Sequence, residues 1–227
     1  MTKTFVEGEF LLRVNRFLTE VKVEGEHYRA FLANSGRLKE ILKKGTPVIL
    51  RKKERGTRNT PFDLWAAWAD RTWVIVDARA ANLLFPFLLE SGLLSLQGHT
   101  FPLTSEVKAK GTRLDFSLQK AGQTLWVETK SVTLVKGTQA LFPDAPTTRG
   151  TRQLRELQRL LQEGHRALLA FMVLRGDATA FSPNWEIDPD FCSSLKETLS
   201  KGLEVLAFRF SVQRESVTKA ERIPVCL

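Results

Sequence analysis

The sequence predicts an α/β protein in two parts: a small N-terminal β-barrel, then an α/β domain with a mixed sheet. Three observations lead there. Residues 1 to about 80 read as short β-like runs separated by turns. From Ala80 onward, helical stretches alternate with strand-like runs. One run, residues 167–174, is apolar throughout, as a strand covered on both faces is. The expected domains are residues 1–80 and 81–227.

In the first part, residues 10–14, 17–23 and 27–32 are β-like, with Glu24-Gly25-Glu26 as a hairpin turn. Residues 38–42 predict a short helix. Residues 48–50 and 73–76 supply further strands, and short strands joined by turns predict a small barrel. In the second part, residues 81–94 form an apolar helix ending near Gly92. Three strands follow at 101–107, 113–118 and 125–134, then a loop over 137–146. A helix over about 151–163 stops at Gly164. After the buried run come a helix at 189–201 and a strand at 203–210.

Composition narrows the function. Hydrophobic residues make up 43% of the 227, enough for an ordinary core. Run 167–174 is too short to cross a bilayer, and the first residues lack an apolar signal core. Cys192 and Cys226 are too isolated for a disulfide framework or a zinc site. The expectation is a cytoplasmic protein with reduced thiols and no membrane association. Thirty-four Lys and Arg against 25 Asp and Glu give a net charge of +9. Residues 37–58 hold nine basic side chains (Arg37, Lys39, Lys43, Lys44, Arg51, Lys52, Lys53, Arg55, Arg58) against Glu40 and Glu54, a local +7. Such a patch attracts polyanions, nucleic acid first; an acidic protein would also fit, and a solvated basic loop is the plain alternative.

One constellation looks like chemistry. Arg113-Leu-Asp-Phe-Ser-Leu118 and Leu125-Trp-Val-Glu-Thr-Lys130 are two strand-like runs joined by Ala121-Gly122-Gln123. Strand side chains alternate faces. Leu114, Phe116 and Leu118 therefore face one way and Asp115 the other, while Glu128 and Lys130 share a face. If the polar faces coincide, two carboxylates and one ammonium converge. That set suits a hard divalent cation, Mg²⁺ or Mn²⁺, beside an attacked phosphate. The plain alternative is an exposed pleat face with Arg113 or Lys130 pairing Asp115. The order helix, Asp strand, Glu-x-Lys strand, helix is the layout of restriction-endonuclease-like, or PD-(D/E)XK, nucleases. In them the acids bind the metal and the Lys helps activate water. A helix acid often completes the set: Glu90 is the candidate and Glu106 the alternative.

On the later helix, Leu154, Leu157 and Leu161 form one stripe, and Arg152, Arg155 and Arg159 recur on the other side. Arg149-Gly150 is expected just before it, where helix-start amides can receive a phosphate. With Arg13, Arg16 and Arg37 of the barrel, these are the expected DNA contacts. Trp65, Trp68 and Trp73 offer either stacking surfaces or core packing. His27, His99 and His165 have no ligand spacing, and no phosphate-cradling glycine motif is present.

Val127-Glu-Thr-Lys-Ser-Val-Thr-Leu134 followed by Ala140-Leu-Phe-Pro-Asp-Ala-Pro-Thr-Thr-Arg-Gly150 is similar to the signature of the sugar fermentation stimulation protein A family. Arg113-Leu-Asp-Phe116, Glu163-Gly-His-Arg-Ala167, Phe181-Ser-Pro-Asn184, Arg16-Phe-Leu18 and Asn34-Ser-Gly36 fit as well. The resemblance spans essentially the whole chain. It implies an OB-like barrel followed by a restriction-endonuclease-like domain, DNA binding, and a regulatory role in sugar (maltose) metabolism. Asp115, Glu128 and Lys130 match fully. The chain departs from the family pattern at Thr129, where Val is usual, at Gln153, where His is usual, and at Pro86-Phe87, where the helix usually carries acids.

Three functions stay open. The first is sequence-tolerant DNA binding with affinity that falls steeply with salt. The second is a Mg²⁺- or Mn²⁺-dependent DNA nuclease using Asp115, Glu128 and Lys130. The third is a regulatory adaptor acting through a protein partner. The sequence does not fix the oligomeric state; a homodimer is compatible with it.

Overall fold

A computed structural model describes residues 4–53, 60–96, 100–120 and 123–227. Of the residues singled out above, Glu54, Arg55, Arg58, His99, Ala121 and Gly122 lie outside the described set. The first sheet contains β1 (Phe5–Asn15), β2 (Leu18–Val23), β3 (Glu26–Phe31), β4 (Pro47–Lys52), β5 (Phe62–Ala69) and β6 (Thr72–Ile75). Its order is β3-β2-β1-β4-β5-β6, and a parallel β3–β5 pairing at Ala30↔Phe62 closes it into an OB-type barrel. Strand β5 escaped the sequence pattern because it is buried on both faces at Phe62, Asp63 and Leu64, so it never alternates.

The helix expected at 38–42 is a single turn. Ile41 and Leu42 both donate to the Leu38 carbonyl, and Leu38 itself sits at a φ of 51°. One turn has no helical continuation to stabilise it; burial of Leu38 and Ile41 in the barrel core holds it instead.

The second sheet, β15-β14-β12-β9-β8-β7, is mixed. It contains β7 (Thr100–Lys108), β8 (Arg113–Lys120), β9 (Gln123–Val132), β12 (Arg166–Val173), β14 (Glu204–Gln213) and β15 (Ser216–Ile223). Strand β12 lies parallel to both β9 and β14, which buries it centrally, as its apolar run requires. Helix α1 (Ala80–Glu90) packs with Phe85 and Leu88 on one face. Helices α2 (Thr148–Gln162) and α3 (Pro189–Ser200) cover the other through Leu154, Leu157, Phe191 and Leu195. The segment expected as a loop at 137–146 contains β11 (Gln139–Phe142). It joins β10 (Leu134–Lys136) and β13 (Ala180–Pro183) in a small third sheet. Helix α2 starts earlier than expected because the Thr147 hydroxyl accepts from the Gly150 amide at 3.1 Å. Arg149 and Gly150 therefore lie in its first turn.

The two parts are tied by polar contacts. The Arg37 amide, from the barrel, donates to Asp144 Oδ2 at 2.9 Å. Arg175, 1% exposed, reaches the Thr133 carbonyl, Asp177 and, from the barrel, Asp70. A Cβ on Gly36 would collide with the Asp144 carboxylate, so the approach of this barrel loop to the second domain favours glycine there.

Candidate metal centre and nucleic-acid cleft

The β8–β9 ladder runs from Lys120↔Gln123 to Phe116↔Val127 and stops. At the next step the Asp115 carboxylate stands in for the ladder. Its Oδ2 accepts from the Thr129 backbone N–H at 2.8 Å. The same residue marks a change of face. Leu114 packs in the core under α2, whereas Phe116 and Leu118 pack in the core under α1. This corrects the simple alternation expected for 113–118. The neighbouring strand is irregular at the same level: Glu106, between the pairs Ser105↔Phe116 and Val107↔Leu114, has a φ of 52°. Non-glycine residues rarely adopt that conformation, and it turns the sheet locally at the site.

Asp115 is held from two more directions. Asn82, in the first turn of α1, donates to Oδ1 at 3.0 Å. The Thr129 hydroxyl lies 2.8 Å from Asp115 Oδ2 and 2.7 Å from Asn82 Oδ1, with a single proton to give. On the other face of β9, Lys130 Nζ donates to Glu128 Oε1 and to Gln153 Oε1 of α2, each at 2.6 Å. Gln153 Nε2 reaches the Arg113 carbonyl at 3.3 Å. Thr129 and Gln153 thus both bond directly to site residues.

Glu128 is 2% exposed, and its Oε2 is buried without a hydrogen-bond partner. Burial pushes its carboxyl up to about 7; Lys130 opposes the rise, and Asp115 adds to it. A buried carboxylate oxygen without a donor suits an electropositive ligand. No cluster of three or more His, Cys, Asp and Glu ligands occurs among the described residues. As a donor set, the carboxylates of Asp115 and Glu128 are compatible with a hard cation of the Mg²⁺ type, which takes one or two carboxylates and completes its shell with water and substrate phosphate. Asp115, Glu128 and Lys130 line one open cleft of about 670 Å³, with Asn82, Gln153 and Arg149.

Other expected residues fall differently. Glu90 lies exposed in the last turn of α1, eight residues (about 12 Å of helix) beyond Asn82, and does not line the cleft. Asn82 is the α1 residue at the site. Glu106 does line the cleft, paired with Arg113 at 3.0 Å.

Arg13 is structural. Its guanidinium donates to the carbonyls of Asn15, Arg16, Asn34, Gly36 and Arg37 and pins the Asn34–Gly36 loop, so it has no donors left for phosphate. Arg159 is tied to Glu156 at 2.7 Å and also to Glu163, so only Arg152 and Arg155 of its stripe stand clear. Arg16, Arg37, Arg149, Arg152 and Arg155 are exposed and form no ion pair within 4 Å among the described residues. The basic stretch is partly neutralised. Arg51 and Lys53 pair with Asp63 at 3.3 and 3.6 Å, and Arg79 pairs with Asp63 and Asp77 at 2.7 and 2.6 Å. The Gly150 amide is already capped by Thr147, so it does not offer the helix-start phosphate site expected of it.

Trp65 is packed beneath Arg51 and against Phe5, whereas Trp68 is exposed at 41%. His165 packs on Trp126, and His27 lies exposed on β3, so neither sits at the cleft.

Residues 11–76 match the SfsA N-terminal OB domain family, and residues 79–216 match the sugar fermentation stimulation protein RE domain family. The chain belongs to the sugar fermentation stimulation protein family. Within it, the homolog of Natranaerobius thermophilus is 40% identical over 98% of this chain and 94% of its own. The homolog of Moorella thermoacetica is 42% identical over 94% of this chain and 93% of its own. The structure of Pyrococcus furiosus SfsA in complex with Ca²⁺ superposes with a TM-score of 0.92 at 29% identity, covering 100% of this chain and 97% of that one. No helix among the described residues is long and apolar enough to cross a membrane.

Proposed function

We propose that the protein binds DNA with little sequence preference along the cleft between barrel and α/β domain, and hydrolyses its phosphodiester bonds with a bound divalent cation. The buried, donorless Oε2 of Glu128 beside Asp115 carries this reading. Both carboxylates would hold Mg²⁺ or Mn²⁺. When bound, such an ion supplies Lewis-acid polarisation of a phosphoryl oxygen. The Ca²⁺ in the Pyrococcus furiosus relative supports a hard-cation site in this family.

The chain's own groups have separate tasks. Asn82 and Thr129 fix the Asp115 carboxylate. Glu128 and Gln153 each take one N–H of the Lys130 ammonium, leaving its third for a water or phosphate oxygen in the cleft. Arg149, on the cleft wall, adds positive charge where the polyanion would lie. Arg16, Arg37, Arg152 and Arg155 extend that charge. A regulatory role in sugar metabolism would act through this DNA binding.

Purified protein and its Asp115→Ala variant should be incubated with single-stranded, duplex and branched DNA, with Mn²⁺ or with chelator. The expected result is Mn²⁺-dependent cleavage by the wild type alone, with binding kept by both. Equal cleavage by both proteins ends the nuclease reading. Binding without cleavage under any condition leaves only the DNA-binding half.

A further inference from the structure

The barrel wall of the cleft carries an aromatic ladder that the proposed chemistry does not use. Phe17, in the turn between β1 and β2, is 45% exposed. Its ring stacks on Phe31 of β3 with centroids 6.3 Å apart and planes 26° apart. The Arg79 guanidinium lies 5.7 Å over the Phe31 ring. Arg79 cannot swing away, because Asp63 and Asp77, each 1% exposed, hold it at 2.7 and 2.6 Å. The three planar groups therefore form a fixed column.

That column spans two adjoining cavities. Phe17 lines a cavity of about 490 Å³ together with Arg16. Arg79 lines the cavity of about 670 Å³ that contains Asp115 and Glu128. The two share Ser35, Ala78, Ser131, Phe142, Thr147 and Arg149 on their walls. One end of the ladder offers an exposed aromatic ring; the other lines the cavity that Asp115 and Glu128 also line.

Bases in a duplex are stacked on one another and present no free face. An unpaired base does, and its stacking on an aromatic ring is largely indifferent to sequence. Arg16 and Arg149 flank the same path with the positive charge a phosphate backbone requires.

We propose that the cleft takes single-stranded DNA, with a base on the outer face of Phe17 and the backbone running past Arg16 and Arg149 toward Asp115. This rests on the DNA-binding reading above and specifies its substrate as unpaired strand.

The test is fluorescence anisotropy in chelator, so that cleavage plays no part. The probes are a labelled single-stranded 12-mer and a blunt duplex of the same sequence, at one fixed salt concentration. The wild-type protein should bind the single strand more tightly. Phe17→Ala should weaken single-strand binding about tenfold, the scale of one stacked base, and leave duplex binding nearly unchanged. Phe17→Trp should keep the wild-type preference. Tighter binding of duplex, or an equal loss on both probes in Phe17→Ala, overturns the single-strand assignment and leaves DNA binding standing. Absence of binding to either probe at low salt overturns both.

Discussion

The Asp115 carboxylate accepts the Thr129 backbone N–H at 2.8 Å, at the step where the ladder between their two strands ends. A side chain replaces a main-chain acceptor, so the strands part while the amide stays satisfied. The opening places Asp115 between Asn82 of α1 and the Glu128–Lys130 pair of β9.

Thr129→Val tests what the hydroxyl adds to that arrangement. The backbone bond to Asp115 survives, but the hydroxyl's contacts with Asp115 and Asn82 are lost. Urea denaturation should show a loss of about 1 kcal/mol, and Mn²⁺ titration by calorimetry should show weaker binding. Unchanged Mn²⁺ affinity would mean that the hydroxyl does not position Asp115 for a cation.

Glu128 gives stability a pH dependence whose sign follows from burial. Its folded value, about 7, lies above the ordinary 4.5. The folded protein thus keeps a proton that the unfolded chain has released. The stability from this group is complete below about pH 4.5 and declines as pH rises through about 7. The loss is on the order of 3 kcal/mol by pH 8. Denaturation in chelator at several pH values should show the decline in the wild type and not in Glu128→Gln. Mn²⁺, which favours the charged carboxylate, should stabilise the wild type more at pH 8 than at pH 5. Parallel pH profiles for the two proteins would contradict this account.

The arginines divide by what they touch. Arg149→Ala, Arg152→Ala and Arg155→Ala should weaken DNA binding and each lower the slope of log affinity against log salt by about 1. Their melting temperatures should stay close to the wild type's. Arg13→Ala should behave in the opposite way. It leaves five backbone carbonyls without their donor and should cost about 3 kcal/mol of stability. Lysine should not restore that stability, because a point ammonium cannot span the same carbonyls.

Gly36→Ala probes the joint between the two parts. The added Cβ would collide with both oxygens of the Asp144 carboxylate. A destabilisation of about 1–3 kcal/mol is expected. The same change in an Asp144→Ala background should cost less, because the obstructing carboxylate is gone. Additive costs in that double-mutant cycle would place the strain elsewhere.

Much of the fold was legible because its elements have clear periods. The apolar run at 167–174 reads as a covered strand, and β12 is paired on both sides. Strand β5 was not legible, because Asp63 breaks its apolar run and its partners Arg51 and Arg79 come from β4 and the start of α1. The same limit applied at the site. Asp115, Glu128 and Lys130 announce themselves as charges on strands. Asn82 looks like any polar helix residue, and Thr129 stood out only through the family resemblance.

By itself, the sequence determined the two-part α/β architecture, the family, and the three charged residues of β8 and β9. Those depend on local periodicity and on residue type, which each stretch of chain carries without its neighbours. The tertiary structure decided which charges are available and which are not. It tied Arg13 to backbone carbonyls, paired Arg159 with glutamates, left Glu90 two turns from Asn82, and set the Phe17–Phe31–Arg79 column on the cleft wall. A side chain's role depends on the partners that folding brings to it, and those partners come from distant parts of the chain.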